Sequence, residues 1–167
     1  LPSRGLGDVY KRQSLLASIT SANPKIANYK FTTINPNLGV AMYDNKEITL
    51  ADIPGLIEGA HTGVGLGIKF LKHVERCKTL LHLIDVSEED LVNSYKQIRK
   101  ELGEYSKELL KKKEIIVLNK VDLLSRKDLK NKKIKFEEKL NKKVIQLSTF
   151  DKKLISNLKI KLLKNVS

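Results

Sequence analysis

Three short strand-like runs in this chain each end in a polar motif, and that repetition constrains the fold more than any other feature. The run 46–51 leads into Asp52, Ile53, Pro54 and Gly55. IIVL leads into Asn119, Lys120, Val121 and Asp122, and VIQL leads into Ser148, Thr149 and Phe150. The runs at 79–86 (TLLHLIDV) and 115–118 are nearly continuous in apolar residues, the pattern of strands buried on both faces. Helical periodicity separates the later strands, so the chain reads as an α/β fold with a mostly parallel sheet and helices on both faces. In such a sheet ligands bind beyond the carboxyl ends of the strands, the edge where all three polar motifs are expected to gather.

The rest of the pattern fills in around these runs. Residues 14–21 read as a short helix closed by Asn23 and Pro24. Strands at 38–43 and 46–51 flank Asp44 and Asn45, a hairpin signal. Residues 68–77 place apolar side chains at 68, 70, 71 and 74, one helical face. A helix over 88–110 is expected to bury Leu91, Ile98, Leu102, Tyr105 and Leu109. A basic helix spans about 126–140, a strand 144–147 and a last helix about 151–164. Residues 1–13 carry no strand-like run and read as an unrelated or artefactual leader, leaving 14–167 as one domain.

Composition narrows the classes. Cys77 is the single cysteine, which excludes a disulfide scaffold and a cysteine-rich zinc site and fits a cytoplasmic location; a monomer is expected. No apolar run approaches the roughly 18–20 residues of a membrane span. The net charge of +13 is unevenly placed. Residues 1–95 balance 10 Lys/Arg against 10 Asp/Glu, whereas 96–167 hold 22 against 9. That half suits a polyanion such as RNA, or is simply a solvated lysine face.

Each polar motif has a chemical reading. An Asp after a buried strand can hold Mg²⁺ through water, and Gly55 leaves a backbone N–H open to a phosphate. Asn119 and Asp122 suit a purine edge, because a carboxylate accepts the paired N–H donors of guanine and repels the acceptor pattern of adenine. The Lys120 stem lies along a base, and Ser148 with nearby backbone N–H groups completes the pocket.

In this order and spacing the motifs make the chain resemble the Obg family of ribosome-associated GTPases. The matching stretches include NPKIANYKFTTINPNLGV, ADIPGLIEGAHTGVGLGIKFLKHVERC, LLHLIDVS, IIVLNKVDLL and QLST. The resemblance implies a GTP-binding and hydrolysing switch domain of the P-loop type, with Mg²⁺ as cofactor, GTP and GDP as ligands, and the large ribosomal subunit and its rRNA as partner. It implies a role in large-subunit assembly and growth control. It assigns Phe31, Thr32, Thr33, Ile34 and Asn35 to the first switch, with Thr33 as Mg²⁺ ligand. Asp52, Ile53, Pro54 and Gly55 fall in the second switch, Asp52 beside the metal. Asn119, Lys120, Val121 and Asp122 read guanine, and Ser148, Thr149 and Phe150 form the last base-side loop.

Two departures bear on mechanism. Leu56 stands where Ras-type enzymes orient water with Gln, and a leucine cannot do so by hydrogen bonding. Slow hydrolysis assisted by another group, a monovalent cation or a partner is therefore expected. The phosphate loop is the larger departure. Its G-x-x-x-x-G-K-[ST] positions before Ser14 are occupied by Lys11, Arg12 and Gln13 in place of Gly, Lys and Ser/Thr, and the preceding strand is missing. Two other readings stay open: a pseudo-GTPase retaining only the guanine site, and a basic RNA-binding protein without nucleotide function.

Overall fold

The later strands carry β-rich apolar runs with no room for a polar face, and in the computed structural model they build a parallel sheet. The structure describes residues 15, 18–19, 25–26, 37–43, 45–51, 75 and 77–166. Strands β4 (Thr79–Asp85), β5 (Lys113–Asn119) and β6 (Val144–Leu147) lie in that order with β5 central, all parallel. Asp85 pairs with Asn119 and Asn119 with Leu147, so the three strands finish at one level.

Successive side chains of a strand face opposite ways, and β5 shows it. Ile115 and Val117 join Leu147, Ile155, Leu158, Leu162 and Leu163 in one core. Ile116 and Leu118 join Ile84, Val86, Leu91, Tyr95 and Phe136 in another. Helix α4 (Lys152–Val166) therefore covers one face of the sheet, and α1 (Leu91–Tyr105) with α3 (Arg126–Leu140) covers the other. Val117, Leu118, Leu147 and Leu158 are all fully buried, each worth about 1.5–3 kcal/mol of apolar burial.

Strands β1 (Lys25–Ile26), β2 (Asn37–Tyr43) and β3 (Lys46–Ala51) form a second, antiparallel sheet. The hairpin closes with Tyr43 opposite Lys46, and Asn45 takes φ 57°, the left-handed conformation a two-residue turn demands. Among the described residues no ladder joins the two sheets. Packing unites them instead: Ile48 and Leu50 enter the core of Ile115 and Val117, and helical Leu15 and Ile19 enter it too.

The expected 88–110 helix is two helices with a later start. Asp85 turns the chain first, accepting from Ser87 N at 3.0 Å and Ser87 Oγ at 2.7 Å. Asp90 then caps α1, its carboxylate accepting from the backbone of Val92 and Asn93 at 3.0 and 3.1 Å. The chain leaves α1 at Ser106, extended at φ −158°, and restarts as α2 (Lys107–Leu110). That break folds Leu110 back onto Gly103, where a Cβ would stand 2.7 Å from Leu110 Cδ1, and it fully buries Leu109. Leu91, Leu102 and Leu109 are buried as the periodicity predicts and Ile98 is half-buried, while the side chain of Tyr105 lies outside the described residues. Of the expected 68–77 helix only the end is described, with Glu75 helical and Cys77 past it. Helix α3 starts on Ser125, whose Oγ accepts from Asp128 N at 3.1 Å, and stops at left-handed Asn141.

Near the start of the sheet, buried Glu114 gathers a polar knot. Its carboxylate accepts from His82 Nδ1 at 2.9 Å and from Tyr95 OH at 2.8 Å, with Arg99 at 3.8 Å and Lys142 at 3.9 Å. Burial alone pushes the Glu114 carboxyl up, but the hydrogen bonds and the His82 and Arg99 charges outweigh it and hold it below the ordinary carboxylate range. The same burial, with the bond to Glu114, raises the Tyr95 phenol well above its usual value.

Candidate guanine-nucleotide site

The carboxyl ends of β5 and β6 bring two of the expected motifs together. Asn119 is the last residue of β5 and Ser148 follows β6 directly, and both are buried although polar. Buried polar groups need partners. Asn119 Oδ1 accepts from Lys120 N at 2.9 Å, which leaves the amide nitrogen as the donor side of that residue. Lys120 adopts the left-handed conformation, φ 61° and ψ 38°, and starts the 3₁₀ turn Val121–Leu123. For a non-glycine residue that backbone costs energy and persists only where surroundings hold it.

The 3₁₀ turn delivers Asp122 to Ser148. Ser148 Oγ donates to Asp122 Oδ1 at 2.6 Å and itself accepts from Phe150 N at 3.3 Å. This crosslink binds the loop after β5 to the loop after β6 and leaves Asp122 exposed, with its second carboxylate oxygen available to paired N–H donors. Val121 is half-buried against the Leu118 core, Thr149 is half-buried, and Phe150 is 87% exposed.

One site residue escaped the sequence reading. Asp85, the last residue of β4, pairs with Lys120 Nζ at 2.6 Å, the two side chains 16% and 29% exposed. The signal was present, because LLHLID ends in a polar residue after an apolar run just as IIVLN does.

The remaining expected residues lie outside the described ones: Phe31, Thr32, Thr33, Ile34 and Asn35, then Asp52, Ile53, Pro54 and Gly55. Ala51, which precedes Asp52, ends β3 opposite Leu38. Among the described residues no three His, Cys, Asp or Glu side chains gather as a metal site, and no helix is long and apolar enough to cross a membrane.

The fold is shared with known proteins. Solved structures of the cytosolic domain of the Thermotoga maritima FeoB iron transporter share the fold: the apo form has TM-score 0.66 and 19% identity, covering 98% of this chain and 62% of that one. The G domain alone has TM-score 0.62 and 20% identity, covering 92% and 90%. The GTPase Obg of Pelagibacter ubique is 67% identical over 93% of this chain and 48% of its own length. That of Ehrlichia chaffeensis is 54% identical over 84% of this chain and 41% of its own. The chain thus spans about half the length of the curated relatives it matches. A family model described as 50S ribosome-binding GTPase matches residues 13–120. With that match over most of its length and those identities beside it, the chain belongs to the 50S ribosome-binding GTPases, as a G domain of the Obg kind.

Proposed function

We propose that this domain binds GTP and GDP through the loops after β5 and β6, hydrolyses GTP as a molecular switch, and serves assembly of the large ribosomal subunit in the cytoplasm as a monomer. The observation that carries the reading is the Ser148–Asp122 bond beside Asn119, which presents one carboxylate oxygen and one amide donor on one edge. Guanine offers two N–H donors to such a carboxylate, where adenine would set an acceptor against it. The matched family's description and the names of the relatives support the same reading. Thr33 and Asp52 are hard oxygen donors of the type Mg²⁺ takes, and a bound Mg²⁺ would neutralise charge on the phosphates. The excess of cations in 96–167 supports an rRNA partner.

A second reading has its own observation. Lys11, Arg12 and Gln13 stand where the phosphate loop needs Gly, Lys and Ser/Thr, which favours a guanine site with little phosphate grip. Titration with fluorescent GDP in Mg²⁺, competed by GDP and ADP, tests both. Competition by GDP and not ADP is expected, and equal competition would sink the guanine site. Phosphate release from GTP then separates a switch enzyme from a binding module.

A further inference from the structure

Helix α3 is rich in lysine, and Lys132 differs from the others in where its ammonium goes. It reaches off the helix to donate to the backbone carbonyls of Val86 at 2.8 Å and Glu88 at 2.8 Å. Those carbonyls belong to the turn that follows Asp85. Two more bonds fix that turn: Asp85 Oδ1 accepts from Ser87 N and Oγ, and Val86 N donates to Asn119 O at 3.1 Å. The other Asp85 oxygen takes Lys120 Nζ at 2.6 Å.

We propose that Lys132 and Asp85 are positioning residues for the guanine-reading loop. The clamp of Lys132 across two carbonyls sets the turn, the turn sets the Asp85 carboxylate, and Asp85 holds Lys120 in its left-handed conformation. The inference rests on the guanine-site reading only for its functional consequence. The physical need is plain. A strained Lys120 relaxes unless something over-determines it, and charge-assisted hydrogen bonds are the stronger kind available. With Lys120 displaced, the peptide that donates to Asn119 Oδ1 moves, and the Asn119 amide loses its fixed orientation. Asp122 is held independently by Ser148, so specificity for guanine survives while residence time shortens.

The test uses the full chain with Lys132→Met, which keeps the stem and removes the donor, Lys132→Arg, which keeps a donor, and Asp85→Asn. Amide hydrogen exchange of 86–90 and 120–123 is followed in the nucleotide-free protein, with urea unfolding alongside. GDP release is followed by displacement of fluorescent GDP. Lys132→Met is expected to speed exchange in both segments and GDP release by about five- to tenfold. Lys132→Arg should restore much of each, and Lys132→Met combined with Asp85→Asn should exceed neither single change by much, since both act through one chain of contacts. Exchange that rises at 86–90 and not at 120–123 would overturn the proposal, as would multiplied effects in the double variant. Lower urea stability with unchanged exchange at 120–123 would assign Lys132 a structural role and overturn it equally. If fluorescent GDP binds the parent chain no better than fluorescent ADP, the guanine-site reading fails, and the exchange data still decide the positioning chain.

Discussion

The two ends of the parallel sheet treat their polar groups in opposite ways. At the amino end, the Glu114 carboxylate is surrounded by His82, Tyr95, Arg99 and Lys142, and its side chain is 6% exposed. At the carboxyl end, Asn119 and Ser148 are equally buried, but their bonds lead outward to exposed Asp122 and half-exposed Lys120. The first arrangement turns the carboxylate onto groups of the same chain and serves stability. The second uses buried anchors to aim the Asp122 carboxylate at solvent, where a ligand can meet it, while the Lys120 ammonium turns back onto Asp85. A polar residue at a strand end is therefore informative about function by the direction of its bonds, not by its burial.

The contrast can be broken at either end. The largest effect expected is on phosphate binding, which the carboxyl end cannot supply alone. With Lys11, Arg12 and Gln13 in the places of a phosphate loop's Gly, Lys and Ser/Thr, the loss of two or three charge-assisted bonds would remove about 4–6 kcal/mol. Titration with labelled GDP should then give affinity about a thousandfold below that of the Pelagibacter relative, and submicromolar binding would contradict it.

Next is the amino end. Glu114→Ala leaves buried His82 Nδ1 and Tyr95 OH without their acceptor and should cost stability in urea unfolding, at about 1–3 kcal/mol for each. The pH dependence follows from the same knot. The Glu114 carboxyl is held below its unfolded value, so its contribution is present above the unfolded carboxylate range and is lost as pH falls through the folded value. Tyr95 has the opposite sign: its contribution is full below the unfolded phenol value and fades as pH rises through the raised one. Thermal melts should show Glu114→Gln flattening the acid limb, and an unchanged limb would remove Glu114 from its cause.

Smaller again is Asp122→Asn, which exchanges one acceptor for a donor at the open end. It should weaken GDP by about 1.5–3 kcal/mol and move preference toward xanthine nucleotide, whose edge offers an acceptor there, with urea stability little changed. The smallest is Ser125→Ala, which removes the α3 cap for about 1 kcal/mol and should leave GDP selectivity untouched.

How much of this was legible beforehand depended on where the determining contacts lie in the sequence. The strands 46–51 and 144–147 and the helix 126–140 were readable because their signals are local: a hairpin turn, an apolar run, a continuous basic helical stretch. The base-side loops were readable for the same reason, since Asn119 and Ser148 each follow a run directly and Asp122 comes three residues after Asn119. The break at Ser106 was not, because it depends on Leu110 meeting Gly103 and on Ser106 Oγ reaching Glu75 at 2.7 Å. Asp85 carries the same local signal, a polar residue closing the run LLHLID, but its pairing with Lys120 depends on parallel register with Asn119, which no local pattern encodes. Val92 and Tyr95 were left off the expected inner face, although both are buried, because the second core wraps further round α1 than a single stripe. The expected switch residues 31–35 and 52–55 lie outside the described part of the chain.

The two kinds of strand pairing also set two clocks for assembly. Tyr43 finds Lys46 across a two-residue turn, and hairpins of that kind close in about 1–10 μs. Thr79 finds Lys113 only after α1 and α2 have formed or been spanned, and such non-local parallel pairing is intrinsically slower. In refolding, a probe on the β2–β3 hairpin should therefore gain protection before one on β5. During that interval the bare edges of β4 and β5, apolar on both faces, are the part of this molecule most exposed to pairing with another copy of itself.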